Sequence, residues 1–259
     1  MNSIRFVDSH CHLQDKAFKD DVESVIGKAE EAGVGMFLVP GTSIGDSTSA
    51  IKLSEKYRGV YAAAGIHPHD SSKAETDWKE KLTSLLLKKK VVAVGEIGLD
   101  YHYDFSPRDI QKDIFKAQIE IALQKKLPMV IHTRKSMEDT FDILDATGGW
   151  NAGGVFHCFP GSPSEAEYVI GKGFYISYTG VVTFKNSHTI RETVKNLPIE
   201  RLLLETDSPY MAPEPFRGKR CEPSLLIHTA KAIADLKDLS LEKIGEAATG
   251  NFLRLFKLQ

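Results

Sequence analysis

Short apolar runs alternate with longer amphipathic stretches along nearly the whole chain. The runs are IRFVDSH from Ile4, GVGMFLVPG from Gly33, VYAAAGIHPH from Val60 and VVAVGEIGLD from Val91. PMVIHTR from Pro128, GGVFHCF from Gly153, FYISYTG from Phe174 and RLLLETD from Arg201 follow. Their cores are almost continuously apolar, as expected of parallel strands buried on both faces. Between them, residues 20–32, 46–57, 77–87, 136–146, 164–171, 186–196 and 224–236 read as helices. The clearest helix follows Ser106, which reads as its N-cap, with Pro107 in the first turn. Ile110, Ile114 and Ile121 mark its buried face. Residues 240–256 add one more helix at the C-terminal end.

Strand-then-helix alternation implies a parallel sheet. Eight such units in 259 residues predict an α/β fold, a (β/α)8 TIM barrel with an extra C-terminal helix. A doubly wound open sheet is the runner-up. With no linker or low-complexity tract in view, residues 1–259 read as a single domain.

The net charge is −2, so no global basic field draws in a polyanion, and any such binding must come from a local patch. The three cysteines, Cys11, Cys158 and Cys221, form no CxxC pair, and Cys11 and Cys158 read as packing residues. No apolar run approaches the ~18 residues of a membrane span. The expectation is a soluble, cytoplasmic protein with no membrane partner, most simply a monomer. Lys88–Lys90 reads as a solvated helix end.

Chemistry-bearing residues stand where the predicted strands end. His10 and His12 are two apart in FVDSHCHL, a spacing that places both imidazoles on one face of a strand. Glu96 ends strand four, His132 strand five, His157 strand six and Asp207 strand eight. Active-site groups of a TIM barrel gather at the C-terminal ends of its strands, so all of these are expected at one mouth. Mixed imidazole and carboxylate donors suit zinc or manganese, with magnesium possible. The set exceeds what one hydrolytic ion takes, and two divalent cations sharing a carboxylate fit better. Glu96 is the natural bridge, because a carboxylate has two oxygens to offer.

With these residues the chain resembles the TatD family of metal-dependent hydrolases, in the amidohydrolase-like group of barrels. The matching motifs are DSHCHL, GIHPH (Gly65–His69), GEIGLDYH (Gly95–His102), IHTR (Ile131–Arg134) and HCFPG (His157–Gly161). YISYTG (Tyr175–Gly180), LLLETDSPY (Leu202–Tyr210) and the terminal NFLRLF (Asn251–Phe256) complete them. The resemblance implies that His10, His12, Glu96 and Asp207 hold one ion, and Glu96, His132 and His157 the other. It implies a nuclease acting on DNA ends, DNA more than RNA. One departure is visible: family members often read Asn-Glu-Pro where this chain has Cys221-Glu222-Pro223.

The chemistry expected is hydrolysis of a phosphodiester, 3′ to 5′ on DNA. Metal-activated water attacks phosphorus, and Asp207 takes its proton. Arg134, on the same strand face as His132, suits a phosphate fork, and His67 a contact to the phosphate or leaving group. His69 and His102 are weaker candidates for the same task. Arg217, Lys219 and Arg220 form a local basic patch, and Phe105, Tyr178 and Phe184 are candidate stacking surfaces for bases. The alternative is a metal-dependent ester or amide hydrolase, such as a D-aminoacyl-tRNA deacylase. A non-catalytic metal-bound scaffold would have lost ligands, and none is lost.

Overall fold

The computed structural model describes residues 6–258. Ile4 and Arg5, at the start of the first apolar run, lie outside them. The strands are β1 (Phe6–Asp8), β2 (Val34–Pro40), β3 (Val60–Ala64) and β4 (Val91–Asp100). Then come β5 (Met129–Arg134), β6 (Gly154–Phe156), β7 (Tyr175–Tyr178) and β8 (Leu202–Leu204). The helices are α1 (Val22–Glu31), α2 (Ile44–Lys56), α3 (Trp78–Leu85), α4 (Arg108–Lys125) and α5 (Met137–Thr147). They continue with α6 (Pro163–Gly171), α7 (His188–Asn196), α8 (Leu226–Lys237) and α9 (Leu241–Leu255).

All eight strands join one sheet in sequence order, β1 to β8. The chain then turns β8 back onto β1: the Ser9 N–H donates to the Leu204 carbonyl (2.9 Å) and the Asp207 N–H to the His10 carbonyl (2.9 Å). This order and return make a (β/α)8 barrel and exclude the open doubly wound sheet, whose strand order reverses. No helix among the described residues is long and apolar enough to cross a membrane.

The chain divides into two compact units, Met1–Val39 with Cys158–Gln259, and Pro40–His157. In the first, β1 pairs in parallel with β2, and β7 with β8. In the second, β3, β4, β5 and β6 pair in parallel in that order. Every residue of β4 is buried, which is why its sequence is apolar without alternation. Gly98, at φ +140°, sits where a Cβ would lie 1.9 Å from the His132 carbonyl oxygen. Only glycine lets β4 run this close to β5, and the approach sets the spacing of the ligand-bearing strand ends.

Helix α4 departs from the sequence reading in two ways. Its N-cap is Pro107, not Ser106. The Ser106 hydroxyl instead donates to the His69 carbonyl (3.0 Å), tying the loop after β4 to the loop after β3. The buried face is also rotated: Ile110 is exposed, and Gln111, Phe115, Gln118, Ile119, Ile121 and Ala122 point inward. The two glutamines are buried because each has a matched backbone partner. Gln118 accepts from the Ile66 N–H (2.7 Å) and donates to the Ile66 carbonyl (3.0 Å). Gln111 accepts from the Asp100 N–H (2.9 Å) and donates to the Asp100 and Ser106 carbonyls (3.1 and 2.8 Å). Seven residues make about two helical turns, so one face of α4 braces the ends of β3 and β4 together.

Lys90 is more than a solvated charge. Its ammonium donates to the Ser54, Tyr57 and Arg58 carbonyls (2.6, 2.7 and 3.0 Å), capping the C-terminal end of α2.

Candidate metal site

In the first unit, β1 ends at Asp8, so His10 and His12 lie just beyond the strand rather than on it. They are held there by backbone bonds. The His12 N–H donates to the Ser208 carbonyl (2.8 Å), and Cys11 and Ser208 form an isolated parallel bridge. The rings still meet as the two-residue spacing predicts: the Nε2 atoms are 3.2 Å apart. Asp207 adds a carboxylate, with Oδ1 3.5 Å from His12 Nε2 and 3.8 Å from His10 Nε2. Asp207 stands at φ +53°, a left-handed conformation that aspartate tolerates better than most side chains. Its own N–H, bound to the His10 carbonyl, and its carbonyl, accepting from the Tyr210 N–H (2.8 Å), hold that turn.

Behind these residues lie two more buried carboxyls. Asp8 accepts from the Thr206 N–H (3.0 Å) and hydroxyl, and burial pushes its pKa up to about 8 against those bonds. Glu205 accepts from the Cys158 N–H (2.6 Å) and the Ser177 hydroxyl (2.6 Å). It was missed in the sequence, although it stands two residues before Asp207 in the same motif.

In the second unit, Glu96 is the centre. Its Oε1 lies 2.9 Å from His132 Nδ1, 2.8 Å from His157 Nε2 and 3.4 Å from His67 Nε2. The His132 and His157 nitrogens are 3.1 Å apart. His67, Glu96 and His132 each bring one donor atom within 4.8 Å of the others. His67, read from the sequence as a substrate contact, stands beside the candidate ligands. Its Nδ1 accepts from the His69 N–H (3.2 Å), so in the neutral ring the proton belongs on Nε2, facing Glu96. Burial lowers the His67 pKa to about 4, more than Glu96 raises it.

Asp100, the last residue of β4, grips the far side of His132. Its Oδ2 is 3.0 Å from His132 Nε2 and 3.0 Å from His69 Nε2. A proton held on Nε2 by Asp100 leaves the Nδ1 lone pair turned toward Glu96, and an outer carboxylate such as Asp100 commonly orients a metal-binding histidine in this way. Burial favours the neutral acid, but the bonds from His132 and His69 hold Asp100 well below the usual carboxylate range. Burial likewise opposes the charge on His132, and the bonds to Asp100 and Glu96 raise its pKa all the same. The signal in the sequence was the Asp100–His102 end of GEIGLDYH, but the partner lies 32 residues away.

Both clusters offer the donor chemistry of a divalent-cation site. Closely set imidazole nitrogens share a carboxylate oxygen, in surroundings that are almost wholly buried. The cysteines stand apart from this role. Cys11 Sγ lies 3.7 Å from the Leu38 carbonyl, and Cys158, off the strand at φ +44°, has Sγ 3.5 Å from the Thr179 hydroxyl. Cys221 is fully buried.

A family model described as TatD related DNase matches residues 7–257. The chain belongs to this family. The TatD chain is thus a metal-dependent hydrolase by family, as its motifs led us to expect. It is 42% identical to the uncharacterized metal-dependent hydrolase YabD of Bacillus subtilis (strain 168), over 97% of this chain and 98% of that one. It is 34% identical to the 3′-5′ ssDNA/RNA exonuclease TatD of Citrobacter rodentium (strain ICC168), over 95% of each chain. Among solved structures, the TatD homolog YJJV of Escherichia coli k12 matches with a TM-score of 0.94 at 32% identity, covering 99% of both chains.

Among the outer residues of this TatD chain, the structure separates several candidates. Arg134 is half-buried and lies over the Tyr103 ring, 4.8 Å from its centroid. Phe105 is exposed, as a stacking surface must be, but Tyr178 is 2% exposed and is a core residue. Phe184 is covered by the Arg217 guanidinium at 4.4 Å. Arg220 is engaged within the protein: it donates to Asp21 (3.0 and 2.6 Å), Glu222 (2.7 Å) and the Ala17 carbonyl (2.6 Å). The basic patch read from the sequence loses that member.

Proposed function

We propose that this chain is a two-metal phosphodiesterase that removes nucleotides from DNA 3′ ends. The observation that carries the reading is the convergence of His67, His132 and His157 on one Glu96 oxygen, with Arg134 two residues beyond His132. Divalent cations at such donors supply Lewis acidity, making water nucleophilic near neutral pH and drawing charge from the phosphoryl oxygens.

The chain's own residues do the rest. His10, His12 and Asp207 would hold one ion, and Glu96, His132 and His157 the other. Asp207 would offer one oxygen to an ion and take the proton of the attacking water with the other. Asp100 keeps His132 in the tautomer that binds metal. Arg134 forks onto a non-bridging phosphate oxygen, and its cation stabilises the charge that grows there. His67, buried and neutral, donates from Nε2.

The name of the Citrobacter relative, an exonuclease on single-stranded DNA and RNA, supports this substrate class. The test is hydrolysis of single-stranded DNA labelled at either end, RNA of the same sequence and a D-aminoacyl ester. Metal-loaded protein is compared with chelated protein. Stepwise loss of nucleotides from DNA 3′ ends, abolished by chelation, is the expected result. Cleavage of the acyl ester alone would replace the nuclease with a deacylase.

A further inference from the structure

The loop after β4 carries two large aromatic side chains in the open. Tyr103 is 49% exposed and Phe105 64%. They are not splayed at random: their rings are parallel within 5°, with centroids 5.1 Å apart. The Arg134 guanidinium lies 4.8 Å from the Tyr103 centroid. His69 meets both rings edge-on, at 4.8 Å from Phe105 and 5.6 Å from Tyr103. His69 in turn touches Asp100, and Asp100 touches His132. The aromatic pair is therefore continuous with the cluster around Glu96.

The loop is built to hold this pair in place. Asp100 Oδ1 accepts from the His102 and Tyr103 N–H groups (2.8 and 3.2 Å). Arg108 forks onto both Asp104 oxygens (2.8 Å each) and stacks on Tyr101 at 4.3 Å. Ser106 bonds to the His69 carbonyl and the Ser72 hydroxyl (3.0 Å each). Ordering exposed aromatics costs free energy, and nothing in the barrel core is served by it. The surrounding charges also point one way. Asp104 is answered by Arg108 and Asp100 by two histidines, while Arg134 is offered to the same surface as the rings.

We infer that Tyr103 and Phe105 form a stacking platform for an unpaired nucleobase, with Arg134 taking the adjoining phosphate. The inference rests on the nuclease reading and narrows it to single-stranded ends, because a base held in a duplex cannot present its face. Aromatic rings accept any base, so the platform confers strandedness without sequence preference. A purely apolar partner would leave Arg134 unanswered.

The test is binding of a 5′-labelled oligonucleotide to chelated protein, followed by anisotropy, with hydrolysis measured separately on metal-loaded protein. The oligonucleotide is used intact and with its two 3′-terminal bases removed. In the parent, base removal should weaken binding by roughly 5- to 150-fold, the range for one stacked base. In the Tyr103→Ala/Phe105→Ala double variant that ratio should collapse toward one, with the melting temperature preserved. Phe105→Trp should keep it. A ratio near one in the parent, or an unchanged ratio in the double variant, would overturn the platform. Loss of hydrolysis in the parent with the base-dependent ratio intact would sink the nuclease and leave the platform standing. Hydrolysis that ignores the terminal bases would do the reverse.

Discussion

Helix α4 reaches the site through two side chains that never enter it, and Gln118→Leu measures what that brace is worth. The substitution removes an acceptor from the Ile66 N–H and a donor from the Ile66 carbonyl, both bonded only 2.7 and 3.0 Å away. Leucine nearly matches glutamine in size, so no large cavity opens. Each buried backbone group left without a partner costs about 1–3 kcal/mol. Burying an alkyl group in place of an amide returns part of this, so the net loss should be about 2–4 kcal/mol. For a chain of this size that lowers the melting temperature by roughly 4–16 °C. The effect should not stop at stability. Ile66 precedes His67, whose Nε2 lies 3.4 Å from Glu96, so a loosened strand end should also weaken metal binding. The assays are thermal melting by circular dichroism and metal titration of the same preparations. A Gln118→Leu protein less than 1 kcal/mol weaker than the parent would mean that the two bonds contribute little beyond those to water in the unfolded chain.

Four further outcomes are expected. Glu96→Ala should lower divalent-metal content, read by elemental analysis after loading; loss of one ion would limit Glu96 to its own histidine cluster, and loss of two would support the bridge. Asp207→Asn, with asparagine equally tolerant of the left-handed turn, should fold and yet lose about 10²–10⁴-fold in hydrolysis at saturating metal; full rescue by excess metal would remove its role as base. Arg134→Ala should keep its metal and lose about 1.5–3 kcal/mol of transition-state binding to DNA, measured as kcat/KM. Arg220→Ala should cost about 1 kcal/mol in urea unfolding, because its ion pairs are partly exposed, while leaving the KM for DNA in place; a raised KM would return it to the substrate patch.

The strands were legible because burial on both faces leaves an uninterrupted apolar run, and the candidate ligands were legible because they stand within or just past such runs; Glu96, read as the end of strand four, lies inside β4, which Asp100 ends. What escaped reading is what depends on partners distant in sequence. Isoleucines at helical spacing caught only part of the inner face of α4, where Ile121 is buried and Ile110 exposed, since hydrophobicity cannot weigh two glutamines whose amides match a backbone N–H and carbonyl. Asp100 and Glu205 depend on His132 and Cys158, partners 32 and 47 residues away in sequence. Tyr178 read as a possible stacking surface, but its strand phase turns it into the core. Lys90 and Arg220 were charges in a list of charges; geometry gave them carbonyls and carboxylates to hold.

The return of β8 onto β1 bears on how the molecule comes into being. Asp8 and Thr206, which bond across that seam, are 198 residues apart. At about 5–20 residues per second, translation takes roughly 10–40 s to cover that distance. Through all of it His10 and His12 wait for Asp207, so the cluster they share cannot form on an early nascent chain.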